Sequence, residues 1–367
     1  MPTIVLDARK YFDYGIGTYI QNLIPELARV GTAHQWTMFV APEEESRVPA
    51  PVSWSKKVAP FAKYSLAEIL LMARLAKESH YDLFHEPHYT LPTGLHGRSV
   101  VTIHDLIHLR FPQYFNRTQR LYAGLMVRHA VHHAGSVITD SHFVRRDLVR
   151  SFRIDEGKVQ VVYPGVSPIF HEAVDDSALR SFRTQHGLEG PYVLFVGSTR
   201  PHKNVPVLLK AVADLRKSRA DTRLVFAGEP LSKVQEAMST ALGLGDGVLA
   251  LGRLSTGDLV LAYKGASAVA VPSLHEGFGF PAVEAMACGV PVVVSDAGSL
   301  PEAVGDAAII VPPDQPGAFS DALRSILDRS DLRKELVRKG LARAQQFSWE
   351  RAAKETLQIY DQVLTKN

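Results

Sequence analysis

The segment 271–306, VPSLHEGFGFPAVEAMACGVPVVVSDAGSLPEAVGD, restricts what this chain can fold into more than any other part of it. Just before it, Ala268-Val269-Ala270-Val271 reads as a buried strand, and 282–287 reads as the start of a helix with Pro281 in its first turn. Between them lies the turn Gly277-Phe278-Gly279, flanked by Glu276 and Glu284 eight positions apart. A strand that runs through a glycine turn into a helix aims backbone N–H groups and a positive dipole end at one point, which suits an anion. Units of this kind pack as helices on a parallel sheet.

The same alternation continues along the chain. In the first half, strands are expected over 3–8, 36–40, 100–103, 136–139 and 159–163. In the second half they are expected over 192–196, 223–227, 248–251, 268–271, 292–294 and 308–311. Helices are expected over 61–76, 121–134 and 349–364, while 42–57 reads as a loop. Thr18 is expected to cap a helix whose apolar stripe is Ile20, Leu23, Ile24 and Leu27. Polar composition over 167–190 marks an interdomain passage. The fold class is therefore α/β, with two doubly wound Rossmann-like domains facing a cleft, and with 367 residues at 46% hydrophobic each domain can bury its own core.

Composition excludes several classes. One cysteine, Cys288, allows no intrachain disulfide and no cysteine-rich metal site. No signal peptide and no apolar run of membrane-spanning length is visible, so a cytoplasmic location is expected, with peripheral contact at the inner face of the cytoplasmic membrane left open. Residues 1–168 hold 19 Lys+Arg against 15 Asp+Glu, and the remainder 22 against 23. The mildly basic first half suits either an ordinary solvated surface or an acidic partner. The segment 61–76, with Lys63, Arg74 and Lys77 beside its leucines, reads as a core-packed helix or as one facing a membrane or an acceptor. No nucleic-acid partner is expected.

Several residues carry candidate chemistry. Gly15-Ile16-Gly17 fails the G-x-G-x-x-G spacing at Ile20, so Gly15 and Gly17 form either a tight turn or a place where a ligand approaches backbone. His104 ends the strand 100–103, at the sheet edge where open α/β folds bind ligands, and Asp105 could orient a ring or bind a hydroxyl. His85, His88, His104 and His108 are close in sequence but have no metal-site signature, and no metal is expected. The loop Ser198-Thr199-Arg200-Pro201-His202-Lys203-Asn204 follows a strand and precedes a helix. It is no P-loop, but Lys203 and Arg200 there can meet phosphate oxygens.

Together these motifs resemble the retaining glycosyltransferases of family 4 (glycosyltransferases group 1), whose GT-B architecture faces two Rossmann-like domains. The resemblance spans nearly the whole chain and is strongest in EGFGFPAVEA, which holds the family's E-x7-E signature as Glu276 and Glu284. It implies an acceptor-binding domain at 1–168, a donor-binding domain at 169–348, and a helix at 349–367, after Phe347-Ser348-Trp349, that crosses back onto the first. It also implies roles. Lys203 would bind the diphosphate of a nucleotide sugar, with Ser198 and Arg200 beside it; Glu284 would take the ribose hydroxyls; Glu276 would take the sugar hydroxyls, with Phe278 and Gly279 backbone alongside. Gly15 and Gly17 would close over the diphosphate, Gly252 and Arg253 would lie by the base, and His104 would reach the donor sugar. His85, His88, Asp105 and Ser141 are the acceptor-side candidates.

One departure stands out: relatives carry arginine at the positions of Ser198 or His202, and here Arg200 lies between them. No Asp-x-Asp pair of the metal-dependent type is present, so metal-independent transfer is expected, with no cofactor beyond the nucleotide-sugar substrate. GDP-mannose is the expected donor and a UDP-hexose the alternative, with a saccharide or lipid-linked saccharide as acceptor. A nucleotide-sugar epimerase and a non-catalytic nucleotide-sugar-binding subunit are the competing classes.

Overall fold

The computed structural model describes residues 1–366, which form two compact units, 1–165 with 348–366, and Val166–Phe347. The passage between them falls at 165/166, slightly before the expected 168/169.

The first unit is a parallel sheet of seven strands: β1 (Thr3–Asp7), β2 (Gln35–Val40), β3 (Trp54–Val58), β4 (Leu83–Glu86), β5 (Ser99–Ile103), β6 (Ser136–Thr139) and β7 (Val159–Val161). Their order is β3-β2-β1-β4-β5-β6-β7, so the winding reverses between β1 and β4. Strands buried on both faces need near-continuous apolar sequence, and Val5, Phe39, Phe84, Val101 and Val137 supply it here. Each such side chain contributes about 1.5–3 kcal/mol by leaving water.

Two strands were missed in the sequence for a physical reason. β3 lies at the sheet edge and carries Lys56 and Lys57, a composition that protects edges and erases the apolar signal. β4 is four residues long, two of them His85 and Glu86. The expected loop over 42–57 is corrected accordingly.

Helix starts also moved. The first helix runs Ile16–Val30 with Gly15 at its cap, φ 71°, so Thr18 lies inside the first turn rather than capping it. Helix Leu66–Glu78 begins later than expected because Ser65 caps it, accepting a 3.1 Å bond from the Glu68 N–H. It buries Ile69, Met72, Ala73 and Ala76, while Leu66, Leu70 and Leu71 point outward. Helix Arg117–His133 begins earlier than expected, at a capping box of Asn116 and Gln119. The tail helix Trp349–Thr365 packs on Ile16–Val30, with the Trp349 and Tyr19 rings 5.7 Å apart edge to face.

The second unit is a parallel sheet of six strands: β8 (Tyr192–Gly197), β9 (Arg223–Gly228), β10 (Val248–Gly252), β11 (Ala268–Val271), β12 (Val292–Ser295) and β13 (Ile309–Val311). Their order is β10-β9-β8-β11-β12-β13, with the reversal between β8 and β11. Helices Val205–Leu215 and Pro316–Asp328 pack together over this sheet, around Val193, Phe195, Leu208, Phe226, Phe319 and Leu323. Among the described residues, no helix is long and apolar enough to cross a membrane.

Candidate active site

Ligands of open parallel sheets bind outside the strand C-termini where the winding reverses. In the second unit that point lies after β8 and β11. β8 ends at Gly197 with φ 129°, and the chain then passes through Ser198 and Arg200 into a 3-10 turn, Pro201–Lys203. Asn204 follows in the left-handed region, φ 57°, and its Nδ2 donates to the carbonyls of Pro272 (3.0 Å) and Pro313 (2.6 Å). Asparagine tolerates this conformation better than most side chains. The loop after β8 is thus tied to the loop after β11, and the Leu274 N–H bond to the His202 carbonyl (2.7 Å) adds a second tie.

These ties bring Lys203 to Glu276, Nζ to Oε1 at 2.7 Å, with the Ser273 hydroxyl donating to the same oxygen at 2.6 Å. Burial alone would raise the Glu276 carboxyl. The Lys203 ammonium and the Ser273 hydroxyl outweigh it, and the group is held below the usual carboxylate range. The Glu276 backbone is gripped as well. Its carbonyl accepts from the N–H and hydroxyl of Ser299 (3.2 and 3.0 Å), and a Cβ on Gly298 would sit 2.6 Å from its nitrogen.

Gly279, φ 97°, caps helix Phe280–Ala287, and a Cβ there would meet Leu300 at 2.6 Å. The Phe278 ring is buried against Phe280 and Phe347, so it serves packing and only its backbone remains for a ligand. Glu284 lies in the second turn, buried, and accepts from the Tyr263 hydroxyl at 2.8 Å. Burial pushes its carboxyl up to about 7, against the lowering effect of the Tyr263 bond. Gly252 has φ 69° and Arg253 beside it is exposed. Arg200 is exposed and enters no ion pair among the described residues.

In the first unit, Ile103 at the end of β5 is the register partner of Thr139 at the end of β6. The next residues, His104 and Asp140, therefore emerge side by side, with His104 Nδ1 2.6 Å from Asp140 Oδ2 and Nε2 3.2 Å from the Pro87 carbonyl. Burial would lower the His104 imidazole. Asp140, by charge and hydrogen bond, outweighs it and raises the value. The Tyr19 ring meets His104 edge-on at 4.9 Å. The role of Asp140 depends on strand register, which the sequence does not display.

Three expectations are corrected. His85 is fully buried, with Nε2 2.9 Å from Thr102 Oγ1 and Nδ1 2.5 Å from the Tyr360 hydroxyl. Burial pushes its imidazole down to about 3, and it anchors the tail helix instead of reaching an acceptor. Ser141 is buried and caps helix His142–Phe152 through the Val144 N–H (3.2 Å). The space beside Gly17 is filled by the chain itself, since a Cβ there would lie 2.4 Å from the Tyr11 carbonyl oxygen. Gly15 keeps open space around it. Asp105 accepts from the Ile107 N–H at 3.0 Å, which shapes the turn after β5.

His88 belongs to a network that the sequence reading missed. Asp7 and Glu86 end β1 and β4 on either side of the winding reversal. Arg9, fully buried, bonds Asp7 (2.5 Å) and Glu68 (2.6 Å). Lys10 lies 3.6 Å from Glu86 and 3.2 Å from the Thr90 hydroxyl, which in turn meets His88 Nδ1 at 3.2 Å. Burial would raise Asp7, but Arg9 holds it at about 2. Glu86 is raised well above the usual range, by burial first and then by Asp7. Arg9 and Lys10 thus face three buried acids, Asp7, Glu68 and Glu86, and Glu86 Oε2 is buried without a hydrogen-bond partner.

Comparison with known proteins adds an independent line. Residues 178–343 match the model of glycosyl transferases group 1, and residues 14–170 match that of glycosyltransferase family 4. O-antigen chain mannosyltransferase B of Escherichia coli is 28% identical over 374 residues, covering 96% of this chain and 97% of that one. D-inositol 3-phosphate glycosyltransferase of Salinispora tropica is 30% identical over 328 residues, covering 82% of this chain and 68% of that one. Among solved structures, a sucrose-phosphate synthase from Thermosynechococcus elongatus is similar in fold with a TM-score of 0.81, at 22% identity and covering 100% of both chains.

Proposed function

The chain belongs to glycosyltransferase family 4, and from that premise we propose that it moves a hexosyl group, mannosyl from GDP-mannose, to a saccharide or lipid-linked saccharide with retention at the anomeric carbon. The observation that carries the reading is the Lys203–Glu276 pair at the β8/β11 reversal, with Glu284 one short helix away. The mannosyl assignment draws on the likeness to the E. coli O-antigen chain mannosyltransferase along nearly its full length.

In this reading each residue has a distinct task. A nucleoside diphosphate is already a good leaving group, so transfer needs stabilisation of charge growing on the β-phosphate more than it needs a general acid. Lys203 shares its three N–H donors between that phosphate and Glu276, which keeps Ser273 as a partner throughout. Arg200, exposed and uncommitted, supplies the second positive charge in place of the arginine that the family resemblance leads one to expect at 198 or 202. Glu276 holds sugar hydroxyls, and Glu284 accepts from the ribose beside Tyr263. His104, oriented by Asp140, is the residue that the family resemblance assigns to a sugar hydroxyl. The departing phosphate takes the proton of the attacking acceptor hydroxyl, so no metal and no cofactor enter the scheme. The first unit binds the acceptor.

The test is a nucleotide and donor panel. GDP should raise the unfolding temperature where UDP does not, and GDP-mannose should label an extracted saccharide or glycolipid acceptor. Stabilisation by UDP alone moves the donor to a UDP-hexose. Turnover of donor to an epimer with no acceptor present, or donor binding with no transfer to any acceptor, overturns the transferase reading.

A further inference from the structure

Outside the residues described so far, the imidazoles of His96, His129 and His133 converge. His129 and His133 are one turn apart on helix Arg117–His133, a spacing that sets two side chains on one face. His96 comes from the loop that enters β5. That loop is fastened to the helix end: the Gly97 N–H bonds the His133 carbonyl at 3.0 Å, and the Gly135 N–H bonds the Ser99 carbonyl at 2.8 Å. The approach requires glycine, because a Cβ on Gly135 would lie 2.1 Å from the Gly97 oxygen. One ring nitrogen from each histidine lies within 4.8 Å of the others, and the His133 ring is 4.4 Å from that of His96 and 4.5 Å from that of His129.

The hydrogen bonding around these rings leaves nitrogens available to an ion. His133 Nδ1 donates to the His129 carbonyl at 2.9 Å, which leaves the Nε2 lone pair outward. His129 Nε2 is buried and has no hydrogen-bond partner of good geometry.

We infer that His96, His129 and His133 form a site for one divalent transition-metal ion of the zinc class, with a fourth position open to water. Imidazole donors select zinc, nickel, copper or cobalt over magnesium or calcium, which take oxygen ligands. Zinc–nitrogen bonds of about 2.0–2.1 Å bring tetrahedral ligand atoms to about 3.3 Å of each other. The exposed rings of His96 and His133 can close that remaining gap by side-chain rotation. The ion would clamp the loop before β5 to the helix. The site uses none of His85, His88, His104 and His108, the four weighed from sequence, and it is independent of the donor-site reading.

The test uses the full chain without an affinity tag, stripped with chelator and titrated with Zn²⁺ by calorimetry and Co²⁺ by visible absorption. One equivalent should bind at micromolar Kd or tighter, with the intense d–d bands of four-coordinate cobalt. Zinc should raise the unfolding temperature by several degrees. H96Q and H133Q should each weaken binding roughly tenfold or more, and the double variant should lose both the cobalt bands and the thermal shift. H132Q should bind as the parent does. Both substituted side chains are exposed, so the metal-free unfolding temperature should hardly change. Uptake that survives in the double variant, or magnesium binding as well as zinc, overturns the site.

Discussion

The two sheets reverse their winding in the same way and use charge there in opposite ways. Between β1 and β4, Arg9 and Lys10 are paired with Asp7, Glu68 and Glu86, all buried. Between β8 and β11, Lys203 and Glu276 are paired but partly accessible, and Arg200 nearby has no partner among the described residues. One reversal is sealed and the other keeps donors for a ligand. A buried pair is costly to form, yet costlier to break on one side only. A half-open pair can exchange one partner for a phosphate at little cost. Topology therefore marks where a ligand can bind, and the charge balance at each reversal is what favours the second in the proposed reading.

Breaking the sealed network should have the largest effect. Arg9→Met strips Asp7 and Glu68 of their bonded guanidinium and leaves them buried with only Lys10, 3.9 Å from Glu68, and should cost about 3–5 kcal/mol of unfolding free energy in urea titration. Restoring an apolar set with D7L and E68L in the same chain should recover most of it. A loss under about 1 kcal/mol from R9M alone would abolish the contrast between the two reversals.

Lys203→Ala should lower kcat/KM roughly 10²–10³-fold in initial-rate assays, while the unfolding temperature changes little because Ser273 still holds Glu276. A large stability loss with normal turnover would make Lys203 a structural residue like Arg9.

Glu284→Gln tests the open site by pH. The Glu284 carboxyl is raised from its usual value to about 7, so the folded state holds this proton more tightly than the unfolded chain does. Its stabilising effect is complete below about 4.5 and is lost as pH rises through about 7, amounting to about 3 kcal/mol. The variant should lack that slope. Above about pH 7, where the parent's carboxylate is ionised, it should also bind donor more weakly, by about 1.5–3 kcal/mol in calorimetry, through loss of charged hydrogen bonds to ribose. Equal slopes in both proteins would show that Glu284 is not held protonated.

The smallest effect concerns the first unit. Asp140 raises the His104 imidazole, so their pairing stabilises the fold below the ordinary histidine value and fades as pH passes through the raised one. In NMR titration Asp140→Asn should shift the His104 midpoint downward, and the stability gap between parent and variant should narrow at alkaline pH. An unmoved midpoint would separate the two side chains in solution.

Much of this was legible beforehand because it is local. The apolar runs at β1, β5, β6, β8 and β11 announced themselves, and the glycine turn ahead of Pro281 set the helix start where it is found. Lys203, Glu276, Glu284 and His104 were singled out from strand ends and loop chemistry alone. Where local signals were weak, the reading failed: β3 is masked by its lysines, β4 by its brevity, and Ser65 displaced a helix start. His85 misled because two histidines near a strand end look alike until one is seen to face Thr102 and Tyr360.

By itself, the amino-acid sequence determined the alternation of strands and helices, the two-sheet architecture and the position of the glycine turns, since each follows from periodicity and backbone freedom within a few residues. Tertiary structure alone decided the partners. Asp140 meets His104 because β5 and β6 align at Ile103 and Thr139, and Arg9 meets Glu68 across a separation that no periodicity spans. The environment of Glu284 was decided in the same way, by Tyr263 and by burial, because an ionisation state depends on what lies within a few ångströms in space rather than along the chain.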